Sequence, residues 1–192
     1  MIFDHLSILY IAYLSLLGLL IFLFSRKHLA MNHFQSKFNT LLIVTLIAAS
    51  FLSMSENLAA LSAIWIICGV CLRFLLALVG DTEARLQAKR FMWVDLLSNT
   101  SFVIAAIVWP YHQTIALVLL LHAVIIRLAL PPYDGWLSHS LAAPSPVSAL
   151  MHAGLVNGGL LILCRFAQPL WQQALLMTAL FVLSCFTIVY IG

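Results

Sequence analysis

Apolar runs of membrane-spanning length recur along the whole chain. The first covers residues 6–24 and contains no charged side chain. A helix needs about 20 apolar residues to cross the hydrocarbon core of a bilayer. The strands of a membrane barrel alternate apolar and polar residues over about 10 positions, whereas these runs are continuous. The sequence therefore predicts an all-α fold, a polytopic transmembrane helical bundle.

About seven spans are predicted in this bundle. They cover residues 6–24, 38–54, 58–79, 93–109, 114–142, 146–165 and 171–191. The fifth span is long because we interpret it as one discontinuous helix. The segment 80–92 is predicted to be a helical connector at the membrane surface. Since the last residues still belong to an apolar run, we expect residues 1–192 to form a single transmembrane domain that is a fragment of a longer chain.

The few charged residues indicate how the bundle is oriented. They make up 8% of the chain, against roughly 25% in soluble domains. Most basic residues follow the first and third spans, at positions Arg26, Lys27, Lys37, Arg85, Lys89 and Arg90. Because basic loops stay in the cytoplasm, the N-terminus is predicted to lie outside. These residues form no basic patch of the kind that binds nucleic acid, so lipid is the expected surrounding.

The break in the fifth span is predicted at Pro131-Pro132. Each proline removes a backbone donor and clashes with the preceding turn, and a helix restarts near Asp134, a suitable N-cap. Arg127 then lies near the middle of the membrane, just before the break. A buried intramembrane charge predicts an ion pathway. The alternative is an arginine that pairs with free carbonyls and only stabilises the break.

The sixth span begins with Ser145 as N-cap and carries a candidate proton-handling side chain. His152 lies on the same stripe as Ser145 and Ser148. Histidine is the side chain that titrates near neutral pH, so we place His152 in the ion pathway. The alternative is a hydrogen-bonded core histidine.

The opposite face of the sixth span carries Gly154 and Gly158 in a G-x-x-x-G pattern. This pattern predicts close packing of another helix. Asn157 lies beside these glycines and is expected to bond across helices.

Four further residues complete the predicted pathway. Arg73 lies in span three, where its side chain can instead reach the cytoplasmic edge. Asp95 is placed at the cytoplasmic start of span four. His139, in the second half-helix, is expected to line the same cavity, and His122 is ranked below His152 because it lies on another face from Arg127.

Asp95 also has a structural interpretation, in which its carboxylate pairs with Lys89, Arg90 or Arg73. The sequence shows no nucleophile–base pair, metal-ligand cluster or phosphate loop. We therefore predict that the chain is not an enzyme and carries no cofactor of its own.

Two segments resemble a known family. Residues 132–137 (PYDGWL) and 143–153 (APSPVSALMHA) resemble the signature of the antiporter-like membrane subunits of respiratory complex I and of multisubunit cation/proton antiporters, with serine at 145 where threonine is usual. Residues 152–159 (HAGLVNGG) are similar to the DabB branch of that family, the membrane subunit of inorganic carbon uptake systems.

The resemblance implies a partly complete antiporter-like fold in a bacterial inner membrane. It implies a hetero-complex with a large soluble zinc protein related to β-carbonic anhydrases, so zinc is expected in the partner. The membrane subunit would translocate protons or sodium ions and so energise conversion of carbon dioxide to bicarbonate. Two alternatives stay open: a membrane anchor for that partner that conducts nothing, and a proton-translocating subunit of a respiratory or antiporter complex.

The resemblance also assigns roles to particular positions. The broken-helix lysine of the family falls on Arg127, and the family histidine falls on His152. The acidic residue expected in span three is absent, since Ile67 or Cys68 stands there. Two spans precede span three where the family has four, and the second half of the family fold is missing. Because arginine keeps its proton, we expect Arg127 to tune His152 by its positive field or to bind an anion.

Overall fold

The computed structural model describes residues 4–28, 34–78, 82–138 and 145–191. Every regular element in these ranges is a helix. The predicted all-α helical bundle with one discontinuous helix is therefore confirmed.

The first four helices are long. Their bounds are α1 His5–His28, α2 Gln35–Met54, α3 Leu58–Ala77 and α4 Thr82–Val108. The second half of the chain is divided into shorter elements. These are α5 Gln113–Arg127, α6 Gly135–Ser138, α7 Ser145–Ala149, a π-helical segment Leu150–Leu155, α8 Asn157–Arg165, α9 Ala167–Trp171 and α10 Ala174–Ile191.

Within the described ranges, five stretches are long and apolar enough to cross a membrane. They are His5–Lys27, Gln35–Met54, Leu58–Ala77, Arg85–Val108 and Ser145–Arg165. The predicted fifth and seventh spans contain shorter apolar helices, Gln113–Arg127 and Ala174–Tyr190. At 1.5 Å per residue, the 15 residues of α5 extend only about 22 Å. This helix therefore ends inside a hydrocarbon core of about 30 Å.

The segment 80–92 differs from its prediction as a separate connector. From Thr82 onwards it forms the first turns of α4, which continues without interruption to Val108. Arg85, Lys89 and Arg90 lie on its exposed side. Asp95 is consequently halfway along α4, and its predicted position at the cytoplasmic start of a span stays a prediction.

The backbone of α5 ends in a left-handed residue, Ala129, with φ of 53°. The N–H of Ala129 donates to the carbonyl of Ile126 at 3.1 Å, and the N–H of Leu130 donates to that of Ile125 at 3.1 Å. These two bonds form a Schellman motif, which satisfies the last carbonyls of a helix. Arg127 is thus the last residue of α5.

The helix breaks earlier than the proline pair predicted. Pro131-Pro132 follows the Schellman motif and contains a cis peptide bond, and the helix resumes at Gly135, directly after Asp134. The prolines prevent the helix from continuing beyond its cap, but the left-handed residue ends it.

Replacing Ala129 with glycine is expected to stabilise the protein by about 0.5–1 kcal/mol. A left-handed conformation costs an L-residue roughly 1–2 kcal/mol, which exceeds the roughly 0.8 kcal/mol lost with one buried methyl group. The measurement is thermal unfolding in lipid nanodiscs. Ala12→Gly, in the exposed face of α1, is the matched control and is expected to destabilise by about 1 kcal/mol. An equal loss in both variants would contradict the explanation.

The predicted sixth span is not a regular helix. Its middle, Leu150–Leu155, is π-helical, and the N–H of Val156 donates to the carbonyl of Met151 at 3.1 Å, a step of five residues. Such π-helical turns are rare and frequently lie at functional sites. The altered period rotates the residues after 150 relative to the stripe that the sequence predicts.

The described residues form two apolar core clusters. One lies mainly between α1, α2 and α3 and includes Phe38 and Leu72. The other joins α3, α4, α5 and α8 and includes Trp65, Phe102 and Leu120. Successive helices from α1 to α5 therefore pack as neighbours, and the broken end of α5 lies where the two clusters meet.

Candidate ion site at the broken helix

A buried ion pair joins the end of α5 to the middle of α4. The Nη2 atom of Arg127 lies 2.7 Å from Oδ1 of Asp95, and the two side chains are 3% and 9% exposed. Arg127 occupies the last turn of α5, where the partial negative charge of the helix end also favours a cation. The break thus positions a guanidinium and a carboxylate together inside the bundle.

Neighbouring side chains complete the surroundings of the pair. The guanidinium lies over the ring of Trp65, 4.6 Å from its centroid, a favourable cation–π geometry. Its Nη2 atom also donates to the Trp65 carbonyl and to Oδ1 of Asn99, both at 3.4 Å. The Asn99 amide donates to Oδ2 of Asp95 at 2.8 Å. Charge and hydrogen bonds therefore hold both groups in the same place.

A glycine on α3 makes room for the carboxylate. A Cβ atom at Gly69 would lie 2.3 Å and 2.4 Å from the two carboxylate oxygens of Asp95. Any other residue at position 69 would displace this side chain. Gly69 is therefore a positioning residue of the pair.

A second set of hydrogen bonds fixes the helices around the pair. The indole N–H of Trp65 donates to the hydroxyl of Ser98 at 3.0 Å, and that hydroxyl donates to the Ala123 carbonyl at 2.8 Å. The chain of bonds crosses from α3 through α4 to α5. Phe102 packs edge-on against Trp65, with ring centroids 5.2 Å apart.

The expectation that Asp95 pairs with Lys89, Arg90 or Arg73 is wrong, since its partner is Arg127. The acidic side chain beside Arg127 therefore comes from α4 and not from span three. All three basic side chains are exposed, and Arg73 lies outside the ion pair.

The pathway histidines are placed differently from Arg127. His152 lies in the π-helical segment with an exposed side chain. Among the described residues, the contacts of Arg127 are with Asp95, Asn99 and Trp65, so the imidazole of His152 does not belong to the pair. His139 lies outside the described residues.

His122 bridges α4 and the break. Its Nδ1 atom lies 2.9 Å from the hydroxyl of Ser101, and its Nε2 atom lies 2.9 Å from the hydroxyl of Tyr133. Neither Ser101 nor Tyr133 was singled out in the sequence. Two features of the sequence point to these residues. Ser101 is a hydroxyl side chain in an apolar helix, where it can bond to the carbonyl of Leu97 four residues earlier, and Tyr133 directly follows the prolines of the break.

The predicted packing face of the sixth span lies against α1 and α2. Gly154 is buried, and a Cβ atom there would lie 3.6 Å from Leu17, while one at Gly158 would lie 3.4 Å from Leu52. Asn157 donates to the hydroxyl of Tyr13 on α1 at 3.1 Å.

One further ion pair lies at the end of the bundle where α1 begins. Arg165, the last residue of α8, contacts both carboxylate oxygens of Asp4 at 2.9 Å and 3.1 Å, and it also donates to Ser7 and to the Ser53 carbonyl. Hydrogen bonds from the Ser7 hydroxyl and backbone N–H lower the pKa of Asp4 from 3.8, and the charge of Arg165 lowers it further. This cluster ties α1, α2 and α8 together.

The chemistry of the buried pair follows from its two groups. Arginine keeps its proton at all accessible pH values. Asp95 is therefore the member of the pair that can change its charge. Protonation of Asp95 would leave an uncompensated cation at the end of a broken helix, which is the kind of site that responds to an ion or to a field.

Residues 92–192 match the model of the family described as "NADH:quinone oxidoreductase/Mrp antiporter, TM". The match covers more than half of the chain. The chain belongs to this family. The resemblance inferred from the signature around the broken helix is confirmed, and the region of the family match includes Asp95, Arg127 and the break.

The relatives of this antiporter-like chain carry two kinds of name. It is 30% identical over 96% of its length to a "Probable inorganic carbon transporter subunit DabB" of Bacillus subtilis, of which it covers 41%. It is 30% identical over 76% of its length to a "Probable inorganic carbon transporter subunit DabB2" of Halothiobacillus neapolitanus, covering 31% of that protein. A 25% identity over 90% of the chain relates it to "NADH-ubiquinone oxidoreductase chain 5" of Anopheles gambiae, of which it covers 33%. The chain is a DabB-type, antiporter-like membrane protein that spans about two fifths or less of these relatives.

Proposed function

We propose that this chain is part of an ion-translocating membrane subunit that energises inorganic carbon uptake. The transported ion is a proton or sodium, and the carbon species are carbon dioxide and bicarbonate. Catalysis belongs to a zinc carbonic-anhydrase-like partner in the same complex. Membership of the antiporter-like family and the names of the DabB relatives support this proposal.

The observation that carries the proposal is the buried Asp95–Arg127 pair at the end of a broken helix. Discontinuous helices at membrane depth are tolerated where they line a site, and many transporters build ion sites from them. Burying two charges costs several kcal/mol that a purely apolar packing of the same volume avoids. A pair retained at that cost points to a function beyond anchoring.

The pair gives each residue a distinct part in the proposed mechanism. Arg127 is a fixed positive charge, so it replaces the proton-carrying lysine of the family by a permanent field. Asp95 is the charge that changes. An ion that neutralises Asp95 weakens the attraction between Asp95 and Arg127, and the ion pair re-forms when that ion leaves.

The placement of the basic residues supports an orientation with the N-terminus outside and the start of α4 in the cytoplasm. Arg85, Lys89 and Arg90 are exposed on the first turns of α4. Asp4 and Arg165 lie together where α1 begins and α8 ends. With basic residues kept in the cytoplasm, the N-terminus lies outside.

Two other functions fit the same family. A membrane anchor would need no buried charge pair. A respiratory or cation/proton antiporter subunit would use the pair for proton transfer, and the chain 5 relatives favour it. Both are outcomes of the following experiment.

The full-length protein is purified in detergent from its native host, and the proteins that accompany it are identified and assayed for zinc. We expect a large soluble zinc protein in fixed ratio, and uptake of labelled bicarbonate that stops when the ion gradient is collapsed. Co-purification of redox centres with many membrane subunits would favour the respiratory function. Bicarbonate uptake that continues after the ion gradient is collapsed would favour the function of a membrane anchor.

Variants at the pair test its part in uptake. Arg127→Gln is expected to lower uptake at least about tenfold, whereas Arg127→Lys, which keeps the charge, is expected to retain more. Arg85→Gln, which removes an exposed arginine from α4, is the matched control and is expected to leave uptake near the wild-type value. Normal uptake in Arg127→Gln, with the partner still bound, would overturn the proposed role of the pair.

A further inference from the structure

We propose that His122 is a proton-accepting site of this protein, loaded from the break through the hydroxyl of Tyr133. The inference rests on the proposed ion-translocating function for its role in transport. The site itself follows from the hydrogen bonds of three side chains: Ser101 on α4, His122 on α5 and Tyr133 in the break.

The hydrogen bonds of Ser101 fix the tautomer of His122. The single hydroxyl hydrogen of Ser101 is donated to the carbonyl of Leu97 at 2.9 Å. Its oxygen can then only accept from His122 Nδ1, 2.9 Å away. Neutral imidazole has one donor and one acceptor nitrogen, so Nδ1 carries the hydrogen and Nε2 carries the lone pair.

The basic nitrogen of His122 therefore faces the break. Tyr133 Oη lies 2.9 Å from Nε2 and donates its hydrogen to it. The ring of Tyr133 meets the imidazole edge-on, with centroids 5.6 Å apart, so the approach to Nε2 is occupied by the phenol. Tyr133 and His122 are both only partly buried, and Pro132 beside Tyr133 is exposed, so the phenol lies at the surface of the described bundle and not in its core.

The proton step balances without any other reactant. A hydronium ion at the break gives a proton to Tyr133 Oη while the phenolic proton passes to His122 Nε2. The O–H bond of the hydronium ion and the old phenolic O–H bond break, and a new O–H and a new N–H bond form. The products are water, neutral Tyr133 and a His122 imidazolium. The reverse step releases the proton from Nε2 back through the Tyr133 hydroxyl.

The charged side chains nearest to His122 are engaged in ion pairs of their own. On its own helix the nearest charge is Arg127, which is neutralised by Asp95 of α4. On α8, Gly159 faces Val124 and Leu128 of α5. The basic residue of α8, Arg165, is bound to Asp4. The side chain that α3 places against the α5 terminus is Trp65, which is uncharged.

Among the described residues, His122 is the histidine whose two ring nitrogens both have side-chain partners. Arg127 cannot give up a proton, and His152 is exposed on the π-helical segment. His122 therefore places a proton-accepting nitrogen beside the break, which Arg127 cannot provide.

Solid-state NMR of the full-length protein in lipid bilayers, with ring-¹⁵N-labelled histidine, tests the site directly. His122 is assigned by difference from His122→Gln. We expect a neutral form with hydrogen on Nδ1 at about pH 9 and a doubly protonated ring on acidification towards about pH 5. Ser101→Ala is expected to give a mixture of tautomers. A wild-type ring with hydrogen on Nε2, or one that keeps a single charge state over this range, overturns the proposal.

Proton uptake by vesicles containing the complete complex tests the role. His122→Gln and Tyr133→Phe are each expected to lower the rate at least about tenfold. His112→Gln and Tyr111→Phe, in the exposed segment just before α5, are the controls and are expected to match the wild type. Full activity in both test variants overturns the role. A wild-type complex that moves no protons refutes the proposed function instead, and the NMR result still decides the site.

Discussion

Replacing Asp95 with leucine is expected to destabilise the protein by about 3–5 kcal/mol, because it leaves the guanidinium of Arg127 buried without its counter-charge. Arg127 is only 3% exposed, and its other hydrogen-bond acceptors, the Trp65 carbonyl and Asn99, lie at 3.4 Å. The measurement is the unfolding midpoint of the full-length protein in nanodiscs, together with the amount of folded protein that reaches the membrane.

The double variant Asp95→Leu with Arg127→Met is the decisive comparison. Removing both charges avoids the unpaired buried cation, so this variant is expected to recover most of the stability lost by Asp95→Leu alone. The recovery measures the coupling between the two side chains. Losses that simply add in the double variant would show that the two groups do not interact. Transport is expected to remain absent in both variants, which separates stability from function.

Replacing Gly69 with alanine is expected to be the second most damaging change. The added methyl would lie within about 2.4 Å of both carboxylate oxygens of Asp95, so the carboxylate must leave Arg127 or the helices must separate. Overpacking alone costs roughly 1–3 kcal/mol, and the weakened ion pair adds to this. Thermal unfolding and proton uptake are both expected to fall.

The matched control for Gly69→Ala is Gly135→Ala, because no atom lies within 4 Å of a Cβ placed at Gly135. The specific cause is tested on an Asp95→Ala background, in which the space in front of position 69 is vacant. Gly69→Ala is then expected to cost little more than the background. If it costs as much there as in the wild type, the clash is with the backbone of α4 and not with the carboxylate.

The sequence was sufficient for the helical character and for the discontinuous helix. Continuous apolar runs leave few ways to satisfy the backbone in lipid, and a proline pair stops a helix wherever it falls. The end of α5 was less predictable, because the residue that adopts the left-handed conformation, Ala129, carries no sequence signal for it. The π-helical segment around His152 could not be predicted from the sequence either, since its residues are equally compatible with a regular α-helix.

The ion pair could be predicted only in part. An arginine just before a break in an apolar run indicates a buried charge, so the sequence predicts the role of Arg127. For Asp95 the sequence favours the wrong partners, since Lys89 and Arg90 are its nearest basic residues along the chain. Asp95 on α4 contacts Arg127 on α5 because the chain turns back between these two helices. Gly69 on α3 then determines whether the carboxylate has room beside Arg127.

The sequence by itself determined that this chain is a membrane bundle of the antiporter-like family, because hydropathy and the signature around the broken helix are local properties. The tertiary structure decided which charges meet. Asp95 with Arg127, and Ser101 and Tyr133 with His122, come from separate elements whose contact depends on helix rotation and packing. A rotation by one residue, about 100° around the helix axis, would separate each of these groups, and no pattern along the chain encodes it.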